Sequence, residues 1–313
     1  MIEEDSTDFS HFQDYILTGG DHMKSFLIIV FAVASSFCFA AENYALHSDI
    51  PYRSLDNSLL NSLDIYVPEG SGIETSSVPV MIMIHGGGWR GGDKANRNVT
   101  LHKVPYFISN NWIFVSVNYR LSPEVKHPAH VQDVATAIAW VKENIPAYGG
   151  DADRIFIMGH SAGAHLAALV STDERYLEEC GVGLEAISGV ILLDGAGYDI
   201  RASLEDYSEG IAVDLMYINA FGREEEVWYD ASPINHVSPG KSIPPFLIVY
   251  AGRRIKSEEI SRDFALELQL SGIPVWLYHA IDKNHAGVNT DLGLPEDGLT
   301  LAVTDFLNRL PID

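Results

Sequence analysis

Five residues, Gly159-His160-Ser161-Ala162-Gly163, constrain this chain more than any other stretch. They join a strand-like apolar run, Arg154 to Met158, to a helix-forming run from Ala162 to about Val170. A serine between two glycines at such a junction implies a sharp strand-to-helix turn. Side chains at 159 and 163 would clash with the neighbouring strand and helix. The turn lifts the Ser161 hydroxyl clear of the sheet edge, with the N-terminus of the next helix beneath it. An ordinary turn serine is the bland alternative, and the strand and helix on either side favour a nucleophile.

The rest of the chain supplies the setting such a turn needs. Leu63 to Val67, Val78 to Ile84, Trp112 to Val117, Gly189 to Leu193, Phe246 to Tyr250 and Val275 to His279 read as strands. They are apolar, rich in β-branched residues and bounded by Pro, Gly or Asn. Between them, Val131 to Asn144 places Val131, Val134, Ala135, Ile138 and Val141 on one helical face. Glu259 to Leu270 and Leu299 to Leu310 are further amphipathic helices. Strand and helix alternating in this way predict an α/β fold, with a mostly parallel central sheet and helices on both faces. The stretch near 198–237 breaks the rhythm as a small, acidic insertion. Its aromatics, Tyr198, Tyr207, Tyr217, Phe221, Trp228 and Tyr229, are expected to pack a small core of their own.

A second signal, His85-Gly86-Gly87-Gly88-Trp89, follows the strand Val78 to Ile84. Consecutive glycines let main-chain N–H groups approach a developing oxyanion unobstructed, so Gly87, Gly88 and Ala162 are the candidate oxyanion hole. Together with YRLSPE (119–124), HPAHVQD (127–133) and GGDADRI (149–155), these motifs resemble the α/β-hydrolase superfamily. The resemblance is to its hormone-sensitive-lipase-like and feruloyl-esterase-like carboxylesterases, and it runs from about Tyr44 to Leu310. Too few residues precede Leu63 for the helical cap of the first branch, so the second fits better. Kynurenine formamidases are also similar. The resemblance implies a serine carboxylesterase acting on small esters, with no metal or organic cofactor. An aryl-formamide amidase and a catalytically silent binding protein are the alternatives.

The family carries its catalytic histidine after the last strand, which here is His285 in Asp282-Lys283-Asn284-His285. His279 lies on the strand itself, and His160 and His165 read as packing or pocket-wall residues. His127 and His130 form an isolated H-x-x-H in a Pro-containing loop, which is seldom a metal site. The usual acid, three residues past the Gly after the seventh strand, is replaced by Ile255. Arg253 and Arg254 only donate hydrogen bonds and cannot stand in for it. Asp194, at the end of the preceding strand, is the favoured acid because a strand end is rigid. Glu258 and Glu259 are its rivals, and Asp199 lies further from the sheet edge.

Acids outnumber bases 43 to 20, a formal charge of −23. Such a surface repels phosphate backbones and anionic lipid, so no nucleic-acid partner is expected. Two cysteines, Cys38 and Cys180, are too few for a disulfide framework. Met23-Lys24-Ser25, the apolar run Phe26 to Ala34 and the small residues before Ala41 make 23–40 a signal peptide. The run is shorter than the roughly 20 residues a membrane anchor needs. Residues 1–22 hold six acids and no Lys or Arg, and read as a misassigned upstream extension of a bacterial gene. The expectation is therefore an exported, periplasmic or extracellular protein whose residues 41–313 form a single domain.

Overall fold

Both faces of the central strands are apolar, and this buries them. In β3 (Val78–Ile84), Val80, Ile82 and Ile84 face one core while Met81 and Met83 face another. In β5 (Gly150–His160), Ile155 and Ile157 point to the first core, Phe156 and Met158 to the second. The same alternation runs through β4 (Ile113–Val117) and β6 (Gly189–Leu193). Each such side chain contributes about 1.5–3 kcal/mol by leaving water. A strand buried on both faces must sit between two helical layers.

The computed structural model describes residues 43–53, 59–69, 77–205 and 210–310. The proposed leader, the signal-like segment, Cys38 and Tyr207 lie outside them. Among the described residues one sheet holds eight strands in the order β1-β2-β4-β3-β5-β6-β7-β8. Here β1 is Tyr44–Pro51, β2 Ser62–Pro68, β7 Phe246–Ala251 and β8 Val275–Ala280. β2 runs antiparallel to β1 and β4, and every other pairing is parallel.

The helices in chain order begin with α1 (Arg97–Thr100), α2 (Lys103–Ser109) and α3 (Ala129–Asn144). Next come α4 (Ala162–Thr172), α5 (Arg175–Glu178), α6 (Ile200–Glu205), α7 (Ile211–Phe221) and α8 (Glu225–Asp230). The series ends with α9 (Ile255–Leu270), α10 (Gly287–Thr290) and α11 (Gly298–Arg309). α3, α4 and α9 cover the first core, and α2 and α11 the second. This is the α/β-hydrolase architecture expected from the motifs. No helix among the described residues is long and apolar enough to cross a membrane.

Three features differ from the sequence reading. β1 was not anticipated, because its residues are mostly exposed and carry no apolar alternation. α9 starts at Ile255 rather than Glu259, which leaves Ile255 exposed and puts Glu258 in the first turn. Among the described residues, the insertion's aromatics do not form a separate core. Tyr217 and Phe221 pack on Trp89 with ring centroids 5.2 and 4.8 Å away, and Tyr198 stacks on Phe264 of α9 at 4.9 Å. The insertion is thereby fastened over the glycine loop.

Candidate active site

Ser161 stands between β5 and α4 with φ 55° and ψ −119°, a conformation strained for a residue with a Cβ. The strain is held from several sides. The Ser161 N–H donates to Leu193 O at 3.1 Å, and its carbonyl accepts from Ala164 and His165. A Cβ on Gly159 would lie 2.2 Å from Gly163 O, and one on Gly163 would lie 2.2 Å from Ile84 O. The two glycines therefore admit each other and the strand that leads into the glycine loop. Ala162, the first residue of α4, is fully buried beneath that turn.

The glycine loop leaves β3 at His85 and doubles back at once. Gly87 has φ 128° and would press a Cβ into Gly91 O; Gly88 has φ 61° and lies under Met216 of α7. Trp89, also at positive φ, is fully buried and donates its indole N–H to His165 Nδ1 at 3.2 Å. His165 in turn donates from Nε2 to Ala231 O at 2.7 Å. Burial pushes its imidazole down to about 3, so it is a neutral strut between loop and insertion.

Asp194 directly follows β6 with its side chain fully buried. It accepts from His285 Nδ1 at 2.6 Å and from the Ala251 N–H at 2.9 Å, and also from Ser257 Oγ and Arg254 Nη1. Burial alone raises its carboxyl. The bond from His285, the Arg254 charge and the Ser257 and Ala251 donors outweigh that and hold it well below the usual carboxylate range. With Nδ1–H committed to Asp194, Nε2 of His285 is left as the acceptor. Arg254 Nη1 is 2.9 Å from that Nδ1, because both donors are drawn to the same oxygen.

His160 connects this pair to Ser161. Its Nε2 donates to the carbonyl of His285 at 2.8 Å, and the two rings lie 4.6 Å apart. Burial, together with the neighbouring His285, lowers its imidazole to about 3, which keeps it neutral. Ser161, His160, Asp194 and His285 are thus brought together at the carboxyl ends of β5, β6 and β8.

Several weighed residues lie elsewhere. His279 donates to Gly252 O at 2.6 Å and stacks on Tyr250. Glu258 is paired with Arg262 at 2.8 Å on the exposed side of α9, and Asp199 accepts from the Ala202 N–H of α6. His127 bonds Asp230 at 2.8 Å and His130 bonds Ser122 at 3.0 Å. Asp173, Asp230 and His236 bring ligand atoms within 4.8 Å of one another, but Arg175 already spans both carboxylates.

The motif reading did not anticipate Ser257 and Arg254 as partners of the acid. They are 63 and 60 residues from Asp194, and only the pairing of β6 with β7 brings them close.

A family model described as BD-FAE matches residues 63–254. Esterase LipQ of Mycobacterium tuberculosis (strain ATCC 25618 / H37Rv) is 32% identical over 271 residues, covering 83% of this chain and 61% of LipQ. Esterase LipC of the same strain is 33% identical over 190 residues, covering 57% of this chain and 45% of LipC. The chain spans about half the length of the curated relatives it matches. Esterase B from Lactobacillus Rhamnosis has a TM-score of 0.67 at 21% identity, covering 85% of each chain, a likeness of fold.

Proposed function

The chain belongs to the BD-FAE family, and on that premise we propose that it is a serine carboxylesterase working through an acyl-enzyme. The observation that carries this reading is the bond from a half-exposed His285 to the buried Asp194, tied through His160 to a serine in a strained elbow. Ser161 attacks the ester carbonyl as His285 Nε2 takes its proton. The same imidazole passes that proton to the departing alcohol. Water then attacks the acyl carbon as His285 takes its proton; the imidazolium returns that proton to Ser161 Oγ as the acyl–oxygen bond breaks and the acid leaves. Asp194 fixes the Nδ1–H tautomer and stabilises the imidazolium that forms in both half-reactions. Main-chain N–H groups at Gly87, Gly88 and Ala162 are the proposed oxyanion donors, supported by the tight glycine loop packed on the elbow.

Residues 23–40 are proposed to direct export, releasing 41–313 as the working enzyme. N-terminal sequencing of material secreted by a bacterial host should start near Ala41; intact Met1 in the cytoplasm would reject that part.

A fluorophosphonate probe tests the chemistry. The wild type should be labelled and Ser161→Ala should not, with loss of about 10⁴-fold or more in kcat on aryl acetates. Labelling of Ser161→Ala, or its retention of a tenth of the rate, would overturn the nucleophile. A wild type that reacts with neither probe nor ester is a binding protein. Hydrolysis of N-formyl arylamines in preference to esters would make it an amidase.

A further inference from the structure

The loop after β7 carries the acid in the feruloyl-esterase-like pattern, whereas here Ile255 occupies that position and β6 supplies the carboxylate. Relieved of that role, the loop presents Arg253 and Arg254 in a chain with 43 acids and 20 bases. Arg254 touches both members of the pair, donating to Asp194 Oδ2 through Nη1 and standing 2.9 Å from His285 Nδ1. Its side chain is nevertheless 40% exposed. Only Nη1 is engaged among the described residues. The Nε and Nη2 edge, which grips a carboxylate through two parallel bonds, is left over.

The reaction fixes which part of a substrate meets this edge. His285 delivers its proton to the departing oxygen, so the alcohol portion must lie on the His285 side of Ser161. Resting on the esterase reading, we propose that Arg254 is a specificity-determining residue that selects esters whose alcohol portion bears a carboxylate. Asp194 holds the guanidinium by one nitrogen and so pre-orients the other two. That spares much of the rotamer freedom an unanchored arginine would lose on binding. Lysine offers one point charge with no fork and reproduces only part of this.

The test compares 4-acetoxybenzoate with its neutral isostere 4-acetoxybenzamide, as kcat/KM corrected for their hydroxide-catalysed rates. The wild type should favour the anion by roughly tenfold or more. Arg254→Gln should bring the ratio close to one while slowing the neutral ester far less. Arg254→Lys, which keeps the charge beside Asp194, should fall between. Arg90→Gln, on the glycine-loop side next to Gly88, should leave the ratio unchanged. A wild-type ratio near one overturns the proposal. So does an equal loss on both esters in Arg254→Gln, which would make Arg254 a mere buttress of Asp194. Inactivity of the wild type on both esters sinks the esterase reading and this inference with it, whereas brisk hydrolysis without anion preference sinks the inference alone.

Discussion

Lys103 Nζ lies 2.8 Å from Asn289 Oδ1, and also donates to the main-chain carbonyl of Asn289, four residues beyond His285. The lysine is 1% exposed, and Asn98 O at 3.3 Å completes its contacts with neutral acceptors. Burial pushes the ammonium down to about 7, against a weaker opposing pull from Asp291. The unfolded chain, with an ordinary lysine near 10.4, then binds one more proton than the folded chain between those two values. Stability therefore rises with pH across that window, by about 1.4 kcal/mol per unit, and the full penalty is present below it. The unfolding free energy of wild type minus that of Lys103→Met should increase by about 2–3 kcal/mol from pH 7.5 to 9.5 in urea titrations. Taking the difference cancels groups common to both proteins. A difference flat across pH would mean that the folded lysine keeps its ordinary affinity for the proton.

The elbow predicts two unequal glycine substitutions. In Gly163→Ala the new methyl group would sit 2.2 Å from Ile84 O and 2.5 Å from His85 O, both main chain and unable to yield. Soluble yield and Tm should drop sharply, with a cost above about 3 kcal/mol. Gly181→Ala, at φ 80° whereas Gly163 is helical, but with nothing within 4 Å, should cost only about 1–2 kcal/mol of backbone strain. Similar melting temperatures for the two variants would mean that close approach is not what requires glycine at 163.

The core strands were legible in the sequence because burial on both faces writes itself as unbroken apolar runs. Val78–Ile84 and Gly189–Leu193 coincide with β3 and β6 to the residue. β1 was not, since an exposed edge strand has no such requirement. The elbow, the glycine loop and the candidate residues Asp194 and His285 could be named from local motifs and strand ends. The second donor set around Asp194 could not, because Ser257 and Arg254 belong to another strand's loop and no spacing rule links them to it. The packing of the insertion's aromatics is illegible for a related reason. Their partner, Trp89, lies more than a hundred residues earlier, and composition alone carries no information about such pairings.

The two histidines near the end of the sheet should separate cleanly. His285→Ala removes the group bonded to Asp194 and should cost about 10⁴-fold in kcat. His279→Ala removes a bond from the edge strand β8 to Gly252 O and should stay within about tenfold. Steady-state rates on one aryl acetate decide it, and the reverse ranking would move the base to His279.

The acid is the last assignment to test, and its surroundings predict more than a rate. Asp194→Asn replaces a fully buried carboxylate that four donors converge on. An amide turns one acceptor into a donor facing Arg254 and His285, and it favours the wrong imidazole tautomer. The expected loss is on the order of 10⁴ in kcat near neutral pH, with partial recovery at high pH. Stability should also fall, by about 1–3 kcal/mol, because the bonds from His285 and Arg254 to the buried carboxylate are lost, while Arg254, 40% exposed, is partly solvated in its place. The folded carboxyl is held far below its unfolded value, so its contribution is present above about pH 4 and fades as acid protonates the folded state. The stability gap between wild type and Asp194→Asn should accordingly narrow below pH 4 and stay constant above pH 5. Glu258→Gln breaks only a solvent-screened pair with Arg262 and should cost less than about tenfold in rate. Glu259→Gln should be equally mild. Parallel kcat values and acid-range denaturation curves for the three variants discriminate the cases. A near-wild-type rate in Asp194→Asn, with a glutamate variant silent, would move the acid to α9.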